Sequence, residues 1–249
     1  TYVMAALNPY ATQIKGEIGG MAEFQYKFKK NTPVGGKHGT ELTINYSVAN
    51  GLKQIPVNDS STAMTYYKTS WSDIGKDYYH DIFVEVNKKI SKQWKITFMY
   101  CNQFYNRNIV QFGAENAGYS NVKSHIAVID IAYKYATSKT IRLETQGLFA
   151  ENKNMITNSN LVARGNWATM LIEWSPSSNW FFAVYDQYNY GNPSKSLQIH
   201  YYLGTFGYNN GPHRISVSYG KQSAGIFCVG GVCRTVPASN GITLSITSS

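Results

Sequence analysis

The chain has 249 residues and a formal net charge of +9, with only 15% Asp, Glu, Lys and Arg but 20 Tyr, 11 Phe and 5 Trp. No apolar run approaches the ~18 residues of a membrane helix, which excludes a helical membrane span. The basic residues stand singly or in pairs (Lys29-Lys30, Lys88-Lys89) with no cluster on one expected face, so nucleic acid is not an expected partner. With no initiating Met and no signal peptide, the sequence reads as a mature or truncated form.

Residues 1–10 (TYVMAALNPY) read as an incomplete loop or strand remnant, and Pro9 marks the approach to the first complete strand. Period-two alternation then dominates, the mark of strands with two chemically different faces. It predicts eleven strands near 14–28, 38–49, 78–89, 93–105, 122–136, 140–150, 164–174, 179–190, 196–208, 213–222 and 240–249. In TELTINYSVA, Leu42, Ile44, Tyr46 and Val48 share one face, and Glu41, Thr43, Asn45 and Ser47 the other. In WKITFMYCNQF, Trp94, Ile96, Phe98, Tyr100 and Phe104 oppose Lys95, Thr97, Met99, Cys101 and Gln103. RISVSYG sets Ile215, Val217 and Tyr219 against Arg214, Ser216 and Ser218.

The connections alternate in length. Tight ones at 89–93, 136–139, 175–179 and 209–211, with a slightly longer one at 29–37, are interleaved with long links at 50–77, 106–121, 151–163, 191–195 and 223–239. A soluble sandwich has no reason for that order, whereas an outer-membrane barrel has short periplasmic turns and long extracellular loops. Aromatics fall at strand ends in two groups: Tyr26, Phe28, Trp94, Tyr133, Tyr135, Trp174 and Trp180 beside short turns, and Tyr100, Phe104, Tyr188 and Tyr190 at the opposite ends. Amphipathic rings in two bands suit the two interfaces of a bilayer. A lipocalin-like soluble barrel would bury the apolar face instead, but this many aromatics exceed what a small barrel interior holds.

The expected fold is therefore all-β: a single domain over 1–249, forming a transmembrane, antiparallel, up-and-down β-barrel of the Gram-negative outer membrane. Its polar face would line the lumen with Glu41, Glu85, Lys95, Asp130, Arg142, Glu144, Glu173 and Arg214, acid and base nearly balanced in cross-strand pairs. Outer-membrane lipids, lipopolysaccharide included, and other outer-membrane proteins are the expected partners. The loop 50–77, with Tyr66, Tyr67 and Trp71, is long for a compact domain and reads either as a plug or as an exposed docking loop.

In the oxidising periplasm, Cys228 and Cys233 are expected to form a disulfide across Gly230-Gly231, closing a protruding hairpin on the outer side. Two thiols do not complete a structural zinc site, and C-x4-C lacks the redox spacing. Cys101 is left as a free buried thiol on the polar face. His38, His80, His125, His200 and His213 lie on separate segments. In Ser124-His125 and His80-Asp81 the two side chains point to opposite faces of their strands. No catalytic site, cofactor or metal is expected.

The stretch GKQSAGIFCVGGVCRTVPASNGITLSITSS resembles the C-terminal signature of a Bacteroidota outer-membrane barrel family of unknown function. The resemblance is carried by Gly220-Lys221-Gln222, Gly225, Cys228, Gly230-Gly231, Cys233-Arg234, Val236-Pro237, Gly241 and the alternating Ile242, Leu244 and Ile246. It implies an outer-membrane barrel and no known activity. Such barrels usually end on an aromatic, whereas this chain stops at Ser249, so at least one further residue is expected. An odd strand number is rare in bacterial barrels, so about twelve to fourteen strands are expected in the full protein. The functional expectation is a porin-like wall or one with a loop-restricted lumen. The alternative is a structural or accessory barrel subunit of a larger outer-membrane complex.

Overall fold

The computed structural model describes residues 2–57, 67–69, 72–113, 118, 121–151, 165–229 and 232–248. The strands, in chain order, are β1 (Glu17–Phe28), β2 (Thr40–Leu52), β3 (Ile55–Pro56), β4 (Tyr67–Lys68), β5 (Ile74–Lys89), β6 (Trp94–Tyr105), β7 (Val122–Ala136), β8 (Lys139–Ala150), β9 (Trp167–Ser175), β10 (Trp180–Tyr188), β11 (His200–Asn210), β12 (His213–Gln222), β13 (Gly225–Val229), β14 (Val232–Val236) and β15 (Ser239–Thr247). Eleven of them make one sheet in the order β1-β2-β5-β6-β7-β8-β9-β10-β11-β12-β15, every described pair antiparallel. Each large strand pairs with its sequence neighbours, the low-entropy route for a chain that turns back through short hairpins. The eleven large strands coincide with those expected from the alternation.

Tight turns all sit at one end of the sheet. Between β11 and β12 only Gly211 and Pro212 intervene, and Gly211 takes φ 57° at the first central position, which a type II′ turn reserves for glycine. The long connections occupy the other end. One holds a short helix, α1 (Arg107–Phe112), capped by the Asn106 side chain accepting from the Ile109 N–H.

The two faces are inverted relative to a soluble sheet. One row across eight strands reads Trp94, Tyr133, Ile141, Trp174, Phe182, Phe206, Val217 and Leu244, all large and apolar, and this face is uncovered. Val184 is 62% exposed, Ile242 77% and Ile246 67%. The opposite face, called inner below, carries Gln103, Ser124, Glu144, Gln146, Thr169, Gln187, Thr205, Ser216 and Ser218, all buried. No described helix is long and apolar enough to cross a membrane.

Two segments cover the inner face. Residues 2–8, expected as a loop or strand remnant, instead fold into a compact turn, with the Ala6 N–H bonded to the Tyr2 and Val3 carbonyls. Met4 is fully buried among Met99, Cys101, Ile126, Val128, Leu148 and Trp167. Its N–H donates to Gln146 Oε1 at 2.9 Å, and Asn8 Nδ2 reaches Gln103 Oε1 at 3.5 Å. The same short segment touches β6 and β8, and Leu7 shares a cavity with β10 and β11. In a flat sheet β6 and β11 would lie about 24 Å apart at ~4.8 Å per strand, so the sheet curls around this segment. The second segment is the hairpin β13–β14.

That hairpin corrects an expectation. It does not protrude: Phe227 and Val229 are buried against Leu171, Phe181, Ala183, Tyr185 and Leu203. The Arg214 guanidinium donates to the Val229 carbonyl at 2.9 Å and lies over the Phe181 ring at 4.3 Å. The hairpin therefore runs down the inner face from the long-loop end as far as Arg214, at the start of β12. Phe227 and Val229, two apart on one face of β13, supply an apolar edge that water does not favour, and the inner surface of β9–β11 offers apolar partners. Gly207 makes room there: a Cβ at that position would fall 2.1 Å from the Phe181 ring.

A second difference concerns closure. The sheet has two margins, β1 and β15, and no ladder joins them among the described residues. All-β architecture and the eleven-stranded antiparallel sheet are observed; a closed barrel is not.

Candidate functional site

The centre of the inner face is a charge cluster built by register. Asp130 lies opposite Glu144 on β7–β8, and Arg142 opposite Glu173 on β8–β9, so one guanidinium is placed among three carboxylates. Arg142 Nε donates to both Asp130 oxygens at 3.1 Å, Nη1 to Glu173 at 2.8 Å, and Nη2 to Asp130 at 2.9 Å and to Glu144. Glu144 and Glu173 are buried. Arginine alone offers five donors in one plane, and here they tie three neighbouring strands together. Glu144 also accepts from Gln146 at 2.5 Å, and Gln146 holds Met4, so the cluster and the N-terminal segment form one network. Tyr2 stands beside it; burial, helped by the Asp130 and Glu85 carboxylates, holds its phenol above its ordinary value. That phenol therefore stays neutral through physiological pH.

The other sequence-predicted inner-face residues are dispersed. Glu85 accepts from Asn87 at 2.5 Å, and Glu41 pairs with Lys27 at 3.5 Å in an exposed contact that contributes little. Lys95 lines a cavity of about 410 Å³ at the short-turn end with Lys27, Lys30, His38, Lys89 and Glu41. This revises the reading of the basic residues as scattered: β-pairing gathers lysines far apart in sequence around one mouth. Sequence spacing concealed the grouping because strand register, not chain distance, sets it.

Strand-end aromatics meet on the uncovered face. Trp94 stacks on Tyr133 at 4.4 Å, Trp174 Nε1–H donates to Tyr135 Oη at 3.0 Å, and Trp180 stacks on Phe206 at 5.0 Å. Tyr26 meets Phe28 edge-on at 4.9 Å. At the long-loop end Tyr188 stacks on His200 at 3.9 Å, and Tyr100 lies 2.7 Å from His125 Nδ1. His125 Nε2 faces Glu151 at 3.1 Å, and His200 pairs with Asp186 at 2.8 Å. These histidine contacts lie on the uncovered face. Ser124, buried on the inner face, is separated from His125 by the sheet itself. Among the described residues no group of three or more His, Cys, Asp or Glu could hold a metal ion.

Cys228 and Cys233 form the disulfide and are directly paired across β13–β14; Cys101 is a free, buried thiol. Gly230 and Gly231, and Tyr66 and Trp71 of the long loop, lie outside the described residues. Because the hairpin already buries Phe227 and Val229, replacing both cysteines by serine should leave the sheet intact. Cleavage within 225–236 by added protease should accelerate several-fold. Failure of the double variant to assemble would show that the bridge does more than brace the hairpin.

Sequence reasoning missed the N-terminal segment and the aromatic Trp167. Both left a signal: an apolar VMAAL just before Pro9, and a tryptophan in phase with Thr169 and Glu173 on the polar side of β9.

The family model "Family of unknown function (DUF6029)" matches residues 1–249, and the chain belongs to that family. No curated protein and no solved structure matches the chain.

Proposed function

We propose that this member of a family without an assigned function is a multi-pass β-barrel protein of the Gram-negative outer membrane, closed on its inside by its own chain. It serves as a structural or accessory subunit of a larger outer-membrane assembly, not as an open pore. The C-terminal signature points to the Bacteroidota as its source. One observation carries the reading: the sheet leaves a row of large apolar side chains uncovered on its outer face and seats residues 2–8 and the hairpin β13–β14 on its inner face.

An uncovered apolar face of this extent is far beyond the few hundred Å² a soluble monomer shows, and lipid is the solvent it suits. The aromatic groups at its two ends support the same reading. From Trp94 to Phe104 the strand runs about 33 Å at ~3.3 Å per residue. A tilt of about 45° reduces that to roughly 23 Å, close to the ~25 Å apolar band of outer-membrane barrels. An occupied interior favours the accessory role over the porin-like one.

The test uses full-length protein in vesicles with brominated acyl chains, comparing variants that keep only Trp180 or only Trp167. Trp180 fluorescence should be strongly quenched and Trp167 fluorescence spared. Planar bilayers containing the same protein should stay silent, and its native mass in mild detergent should exceed that of one chain. An unquenched Trp180 would sink the membrane reading; stable, reproducible channels from a lone species would sink the closed, accessory one.

A further inference from the structure

The cavity of about 410 Å³ at the short-turn end gathers four lysines around one carboxylate. Lys27 comes from β1, Lys30 from the turn after it, Lys89 from the end of β5, Lys95 from the start of β6, and Glu41 from β2. Glu41 stands opposite Lys27 in register and pairs with it at 3.5 Å. Two residues along β5 from the lining residue Asn87, Glu85 is taken up by the Asn87 amide at 2.5 Å. Among the described residues no ion pair reaches Lys30, Lys89 or Lys95.

Elsewhere on the inner face register sets opposite charges together, Lys27 against Glu41 and Arg142 against Glu173. At this mouth it does the reverse: Lys89 and Lys95 are direct partners across β5–β6. Such partners have Cβ atoms about 4.5–5.5 Å apart, and like charges there destabilise the sheet. An anion seated between them removes that repulsion. The cavity is also set in advance, because the turn carrying Lys30 is pinned. The Asn31 N–H donates to the Gly36 carbonyl at 2.7 Å, the Gly36 N–H to the Thr32 carbonyl at 2.8 Å, and the Thr32 hydroxyl to the Lys29 carbonyl at 2.7 Å. Buried Thr40 donates its hydroxyl to the Val34 carbonyl at 2.8 Å, and the Lys89 N–H reaches the Gly39 carbonyl at 3.2 Å. These bonds fasten the turn to β2 and β5. The Lys30 stem runs beside the lining residue Gly39, where an added Cβ would lie 4.0 Å from its Cγ and Cε.

An ammonium is a point charge on a flexible stem, so a ring of them selects for charge and not for a planar shape. Three ammonium groups in excess of the one carboxylate suit a group with more than one negative charge. A carboxylate or a phosphodiester carries one, whereas a phosphomonoester carries about 1.5 to 2 at neutral pH and offers three acceptor oxygens. A bare phosphate would leave most of the space unfilled, and the volume falls in the ~300–1,000 Å³ range of small-molecule sites. We propose that this cavity binds the phosphate of a small, soluble phosphomonoester. Lys89 and Lys95 hold its oxygens from the wall, and Lys30 meets it from the turn. The lining belongs to the inner face, so a soluble molecule has direct access that a headgroup anchored on the outer face lacks. The proposal stands on the cavity alone and holds whether or not the outer face meets lipid.

The experiment is isothermal titration calorimetry on the full chain in uncharged detergent, with glycerol 3-phosphate as the probe. Glycerol, succinate and dihexanoyl phosphatidylglycerol are the comparisons, for the uncharged remainder, a doubly charged carboxylate and a lipid source of phosphate. Glycerol 3-phosphate should bind saturably and more tightly than all three. The double variant Lys89→Gln, Lys95→Gln should weaken its binding about tenfold or more. The urea midpoint of that variant should hold or rise, because the opposed like charges are gone. Removing the same charge at the long-loop end, with Lys123→Gln and Lys195→Gln, should leave binding unchanged and so separate the cavity from the overall charge of +9. If the first double variant does not assemble, Lys30→Gln carries the test, with weaker binding again expected. The proposal is overturned if glycerol 3-phosphate does not saturate, if the lining variants bind like the unmodified protein, or if both double variants weaken binding equally. It is overturned as well if succinate or phosphatidylglycerol binds best.

Discussion

On the proposed membrane reading, replacing Met4 by glutamate should unseat residues 2–8 from the inner face and yield a protein that conducts where the parent stays silent. Met4 is fully buried in an apolar cluster, with Met99, Ile126, Val128 and Leu148 around it. Truncating such a side chain to alanine costs about 2–5 kcal/mol, and an unpaired carboxylate in its place costs more. The segment has a cheaper alternative than holding that charge in place, because it can leave the sheet. Its other anchors are Val3 in the same cluster, Met4 N–H to Gln146, Asn8 to Gln103 and Gln103 Nε2 to the Ala5 carbonyl, each weaker than the burial that the charge removes. In Met4→Glu, protease should therefore cut within residues 2–16 at least tenfold faster than in the parent, and planar bilayers should show current steps. Met4→Leu, close in volume and apolar, should behave like the parent in both assays. Continued protection of the segment in Met4→Glu would show that other contacts hold it. Release without current would show that the hairpin β13–β14 closes the interior by itself.

The second large effect is expected at Arg142. Its guanidinium bonds Asp130, Glu144 and Glu173, and Arg142→Met removes that cation from among three carboxylates on three neighbouring strands. Breaking a buried ion pair by removing one partner costs about 3–5 kcal/mol, because the remaining charge keeps its desolvation penalty without its counter-ion. The variant should unfold at distinctly lower urea concentration than the parent, read by loss of the strand signal in circular dichroism. Adding Glu144→Gln and Glu173→Gln to Arg142→Met should recover much of the loss, since fewer like charges then share the site. Arg142→Lys should recover little, because a point charge cannot reach Asp130 and Glu173 in the planes the guanidinium spans. If the triple variant proves no more stable than Arg142→Met, the defect is lost packing of the arginine stem and not stranded charge.

The strand residues in both predictions had a face legible from alternation alone, whereas what covers or pairs with them, Met4 above all, was not. Period two placed Met99, Cys101 and Gln103 on one side of β6 and Phe98 and Tyr100 on the other. The same count assigned Arg142 and Glu144 to the polar face, and turn formers located the short turns, SPSSN closely and NNG at 209–211 one to two residues early, since the turn itself is Gly211-Pro212. The two cysteines likewise announced a bridge, being five residues apart around a glycine pair. Such features are local: each is set by backbone geometry within a few residues, and the chain carries them wherever it goes.

Tertiary structure alone decided what covers the polar face. The VMAAL segment and the Ile226–Val229 strip are short apolar stretches that could have been exposed loops. They were drawn inward because the curled sheet presents Ile126, Val128 and Leu148 to one and Phe181, Ala183 and Leu203 to the other. Register decided which charges meet, bringing Asp130, Arg142, Glu144 and Glu173 into one cluster and the lysines of four strands and turns to one mouth. It also set Trp167 beside Tyr201, more than thirty residues on, with a buried N–H that nothing in the local sequence could have marked as unmet. Alternation fixes which way a side chain points; only the pairing of distant strands, and the segments that fold against them, fix what it points at.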